Sequence, residues 1–163
     1  MPKPKISLIG LGLIGKSIGK SLCAAGGQLD VVGHDREPLV ARAAQKLGAV
    51  NRVHWNLIEA CDGADIVVIA TPIHAIEGTL KAIAADLKPG CLVMDTASLK
   101  SPVLRWADEI LPAEVHFVGS DPILKFPVQS EVSSTGAVNE PYPQILKDAL
   151  FCLTPSIKAS PEA

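Results

Sequence analysis

The stretch Ile6–Ile9 is apolar except for Ser7 and stops at Gly10, the pattern of a short buried strand. Behind it, Lys16 and Lys20 lie one helical turn apart, while Ile14, Ile18 and Leu22 form an apolar stripe. This spacing predicts a helix from Leu13 to Ala25, stopped by Gly26-Gly27. Leu29–His34 reads as a second strand. Pro38 stands where a first helical residue belongs and Gly48 where a helix stops, so a helix joins them. Arg52–Trp55 is a short strand. Asn56, with Glu59 three residues on, has capping-box spacing and opens a short helix.

The same rhythm continues. Asp65–Ala70 contains Ile66, Val67, Val68 and Ile69 without alternation, so both its faces are buried. Ile73 to Leu87 is a helix with Ile76, Leu80, Ile83 and Leu87 inward, and Lys88-Pro89-Gly90 is a turn. Cys91–Asp95 is a further strand. Ser101-Pro102 opens a helix that ends before Pro112, and Val115–Val118 is a strand. Ser120 to Pro143, with four prolines among serines, reads as a long loop of the kind that often carries function. Ile145–Leu153 returns a helical turn and a strand, and Thr154–Ala163 reads as linker. Strands that alternate with helices imply an α/β fold: a doubly wound, mostly parallel Rossmann sheet with right-handed crossovers, over residues 1–153.

Composition narrows the partners. A length of 163 residues suits one domain, and 48% hydrophobic against 20% charged residues is globular. A net charge of −2 provides no field for nucleic acid or an anionic membrane surface, so an anion site must be local. Cys23, Cys61, Cys91 and Cys152 are far apart and form no CxxC pair. They read as small buried hydrophobes, not as a metal or disulfide framework. Lys3 and Lys5 ahead of Ile6 to Ile14 imitate a signal peptide, but Lys16 and Lys20 break the run, and no other run approaches membrane length. A cytoplasmic protein is expected.

Gly10-Leu11-Gly12-Leu13-Ile14-Gly15 is a GxGxxG loop that follows a strand and opens a helix, with Asp35 twenty residues beyond Gly15. Gly10 permits the tight turn, Gly12 the approach of a pyrophosphate, and Gly15 close helix packing, which Gly19 extends. The helix start at Leu13 and Ile14 offers free N–H groups to phosphate. Asp35 suits ribose hydroxyls and favours NAD, while Arg36 either stacks on adenine, pairs a 2′-phosphate and admits NADP, or is a solvated charge. Thr71-Pro72 leaves the fourth strand where the nicotinamide ribose is expected. His74 follows as a candidate acid or base. Ser98 can exchange a hydrogen bond with a ligand or cap the next helix, and Lys100 can meet a substrate carboxylate. His34, His54 and His116 have no supporting context.

These residues resemble the N-terminal, nucleotide-binding domain of prephenate and arogenate dehydrogenases. The likeness rests on the Ile9-to-Gly15 loop, Ala64-Asp65 with Thr71-Pro72, the segments Asp95-to-Lys100 and Phe117-to-Pro122, and Leu153-Thr154-Pro155. The resemblance implies oxidation of the ring hydroxyl of prephenate or arogenate, with hydride passed to nicotinamide and carbon dioxide lost. It also places Ser98 and Lys100 at the active site. The family's histidine before the proline of the Phe117-to-Pro122 segment is here Asp121, a weaker base at its ordinary pKa near 3.9 unless burial raises it. Family members continue into a helical domain that dimerises and completes the pocket, and this chain is expected to stop where that domain starts. Two other readings stay open: a non-catalytic dinucleotide-binding module, and a related dehydrogenase or reductase with another small substrate.

Overall fold

A computed structural model describes residues 3–24 and 27–120 and the backbone of 156–157. Strands and helices alternate from β1 (Lys5–Ile9), α1 (Leu13–Ala24), β2 (Asp30–His34), α2 (Pro38–Lys46) and β3 (Arg52–Val53) to α3 (Leu57–Cys61). The series continues with β4 (Ile66–Ile69), α4 (Ile73–Ile83), β5 (Leu92–Asp95), α5 (Lys100–Ile110), β6 (His116–Gly119) and β7 (Ser156–Ile157). The strands form one sheet in the order β3-β2-β1-β4-β5-β6-β7. The first six run parallel, and β7 is antiparallel to β6.

The apolar run of β4 feeds two cores. Val67 and Ile69 join a cluster with Ile76, Leu80 and Ile83 of α4 and Val103 and Ala107 of α5. Val68 points the other way, to Ile6, Leu8, Val31, Ala41 and Ala44. The period of two therefore survives within a continuous apolar run, because helices cover both faces of the sheet. Ser7, a polar residue in the β1 core, is reconciled by donating its hydroxyl to the carbonyl of Ala60. Its burial therefore leaves no orphaned donor.

Several local expectations change. Helix α4 ends at Ile83, and Ala84–Asp86 tightens into a 3-10 turn before Leu87. Asn56 caps α3 by accepting from the N–H groups of Ile58 and Glu59. The Glu59 carboxylate lies 3.5 Å from His54 Nδ1. The short β7 falls in the stretch read as linker: Val118 pairs with Ile157 and Gly119 with Ser156. β6 is the last of the parallel strands, and its outer ladder is taken by β7. The Ser120-to-Pro143 reading beyond Ser120, the Ile145–Leu153 reading, Asp121 and Cys152 lie outside the described residues. Among the described residues no helix is long and apolar enough to cross a membrane.

Candidate functional site

Chain order reverses in the sheet at β1, which pairs with β2 on one side and β4 on the other. Beyond the carboxyl ends of β1 and β4 the connecting loops part, which opens the crevice where doubly wound folds bind ligands. Gly10 enters it at φ +88°, and a Cβ there would lie 2.7 Å from the carbonyl oxygen of Ala70. Only glycine fits that turn. A Cβ on Gly15 would reach within 1.9 Å of Gly10 O, and one on Gly19 within 2.1 Å of Ala49 O. The two glycines therefore seat α1 against its own entry loop and against the backbone after α2. A Cβ on Gly12 would meet nothing within 4 Å. This glycine faces open space, directly before the amino end of α1 and its unpaired N–H groups.

Two cavities flank the loop and share Gly12, Ala70, Thr71 and Pro72. The first, about 510 Å³, lies over β1 and β2 and is lined by Asp35, Arg36, Glu37, His34 and His74 among others. The second, about 600 Å³, lies over β4 and β5 between Leu13, Ile14, Ile73 and the Thr96-to-Leu99 segment. Thr71 Oγ1 is buried without a hydrogen-bond partner where the two meet. A buried hydroxyl with no partner, beside open space and a helix amino terminus, fits a phosphate or ribose oxygen.

Asp35 is already engaged. One carboxylate oxygen accepts from the N–H of Leu11 at 2.8 Å and the other from the N–H of Glu37 at 2.9 Å. It ties the glycine loop to the end of β2 and keeps lone pairs for a ribose.

The remaining site residues divide. Ser98 lines the second cavity. The N-cap position of α5 is Leu99, one residue after Ser98. His74, proposed from sequence as an acid or base, lines the first cavity, away from Ser98, because the first turn of α4 passes on that side of Pro72. Lys100, expected to meet a substrate carboxylate, turns inward. Its Nζ donates to Asp95 Oδ2 and to Ser120 O, both at 2.6 Å, and it lines neither cavity. Asp95 is wholly buried, accepts from the N–H of Ala97, and leaves Oδ1 without a partner. Such a carboxylate captures the nearest cation. Ser120 Oγ donates to the Asp95 carbonyl, which closes the node. The tip of β6 is thereby stapled to the end of β5, one residue before Asp121. His34 is the site residue that sequence reading passed over, since its signal lies only in its place before Asp35.

Residues 18–163 match the family model of the prephenate dehydrogenase nucleotide-binding domain. The chain belongs to that family. Among curated members of the prephenate dehydrogenases, it is similar to the Lactococcus lactis enzyme at 38% identity, over 73% of this chain and 34% of that protein. It is similar to the Bacillus subtilis prephenate dehydrogenase at 32% identity, over 99% of this chain and 42% of that protein. The chain thus spans between a third and a half of the length of these two relatives. Synechocystis arogenate dehydrogenase superposes with a TM-score of 0.66 at 28% identity, over 77% of this chain and 42% of that one. The Aquifex aeolicus prephenate dehydrogenase, solved with hydroxyphenyl propionate and NAD+, superposes with a TM-score of 0.69 at 24% identity, over 78% of this chain and 44% of that one. That likeness supports the fold.

Proposed function

We propose that this chain binds NAD and forms the dinucleotide-binding part of a prephenate or arogenate dehydrogenase, an oxidoreductase of tyrosine biosynthesis. The observation that carries the reading is Gly12, open to solvent before the α1 amino end and shared by both cavities. Gly12 would face the pyrophosphate of a bound dinucleotide, Asp35 in the cavity over β1 and β2 would hold the adenosine ribose, and Thr71 and Ser98 in the cavity over β4 and β5 would flank the nicotinamide half. When bound, NAD supplies the hydride acceptor.

The protein residues position and exchange protons. The N–H groups at Leu13 and Ile14 hold phosphate oxygens. Asp35 accepts from ribose hydroxyls and repels a 2′-phosphate, which favours NAD over NADP, with Arg36 at the rim. Ser98 hydrogen-bonds the substrate beside the nicotinamide. Asp121 stands where the family histidine accepts the hydroxyl proton. Lys100 holds the end of β6 through the Ser120 carbonyl. Hydride and the ring carboxylate leave the substrate, the latter as carbon dioxide, and the ring becomes aromatic. That drive leaves the protein chiefly an orienting role.

Separate calorimetric titrations with NAD and NADP test the reading. Expected is saturable NAD binding, with NADP at least about tenfold weaker, a difference of about 1.4 kcal/mol. Absence of NAD binding would refute it.

A further inference from the structure

His34 closes β2 directly before Asp35 and lines the first cavity, the adenosine side under the reading above. Its Nδ1 lies 3.0 Å from the carbonyl oxygen of His54. A carbonyl oxygen only accepts, so Nδ1 carries the proton. The neutral ring is thereby held as the Nδ1–H tautomer, and Nε2 is left as a bare acceptor. Nδ1 is engaged on the β3 side, which leaves Nε2, in a residue that lines the cavity, as the ring nitrogen without a protein partner among the described residues. Pro72, Leu57 and Ala75 supply apolar walls there, as a purine requires.

We infer that His34 Nε2 selects the base of the dinucleotide, accepting from an exocyclic amino group and rejecting an oxo group in its place. The inference rests on the dinucleotide reading. An amino group donates into Nε2. An oxo oxygen would set two acceptors against each other and leave both unpaired. Adenine carries the amino group, and hypoxanthine carries the oxo group.

The test titrates NAD and nicotinamide hypoxanthine dinucleotide into the wild-type chain, His34→Phe and His34→Gln, at about pH 8. The wild type is expected to bind NAD at least about tenfold tighter than the hypoxanthine form. His34→Phe binds the two equally, with its fold checked by circular dichroism. His34→Gln carries an amide that can turn either to accept or to donate, so it is expected to lose the preference while keeping a polar group at the position. Equal binding of the two by the wild type at about pH 8 overturns the inference, as does a preference that survives in folded His34→Phe. If His34→Phe fails to fold, a preference retained in folded His34→Gln overturns it. Wild-type protein that binds neither dinucleotide overturns the dinucleotide reading itself, and this inference with it.

Discussion

Gly15 and Gly10 are in direct contact: a Cβ on Gly15 would sit 1.9 Å from the carbonyl oxygen of Gly10. The first turn of α1 therefore rests on the loop that leads into it. Gly12, between them, supports nothing, since a Cβ there would meet no atom within 4 Å. The two positions separate folding from binding. Gly15→Ala is expected to lower stability by about 1–3 kcal/mol or more, because backbone must move to admit the methyl. Gly12→Ala is expected to unfold at the wild-type temperature and to lose at least about tenfold in NAD affinity. Thermal unfolding and calorimetry on both variants check this, and a Gly12→Ala chain with normal affinity would remove the pyrophosphate from that position.

Asp35 links the Leu11 and Glu37 N–H groups. Asp35→Ala is expected to weaken NAD binding and also to destabilise the chain, by about 1–3 kcal/mol for the amide hydrogen bonds left unmade. A chain that loses affinity with no change in denaturation midpoint would show that the carboxylate serves the ribose alone.

Lys100 and Asp95 make a buried ion pair at 2.6 Å. Lys100→Met strands a wholly buried carboxylate and is expected to cost about 3–5 kcal/mol. Adding Asp95→Leu is expected to recover part of that loss. Denaturant unfolding of the single and double variants measures the coupling, and additive losses would mean that the pair is not a unit.

Asp121→Asn removes the proton acceptor proposed in place of histidine. Under the proposed dehydrogenase reading, turnover of prephenate or arogenate at saturating NAD is expected to fall by about a hundredfold or more, with NAD affinity unchanged. Unchanged turnover would assign the proton to another group.

Two surface carboxylates set the acid limit. The Arg52 hydrogen bond lowers the pKa of Asp30, and the Lys88 hydrogen bond, followed by that from the Lys5 N–H, lowers that of Asp65. A carboxylate depressed in the folded state contributes stability above its unfolded value, near about pH 4, and loses it as pH falls through the folded value. Unfolding temperature should therefore drop below about pH 4, and less steeply in Asp65→Asn. Burial pushes the Cys61 thiol up to about 12. Native protein should leave Cys61 unalkylated by iodoacetamide at mildly alkaline pH, since the thiolate is the reactive form.

The alternation of strands and helices, the glycine loop and Asp35 were legible in the chain because each is written in local spacing. Apolar runs mark strands that helices cover on both faces, and Gly10, Gly12 and Gly15 meet needs of a single turn. The sequence by itself thus determined the doubly wound sheet and its loop. It could not show which side of Pro72 His74 would take, since that depends on how α4 packs over the sheet. Lys100 read as a free cation until Asp95, five residues earlier, was buried beside it. Nor did anything local mark His34, whose ring is oriented by the His54 carbonyl across the β2–β3 pairing. Tertiary structure alone decided these three, because burial and long-range hydrogen bonds, not residue type, determine which charges and ring nitrogens remain available to a ligand.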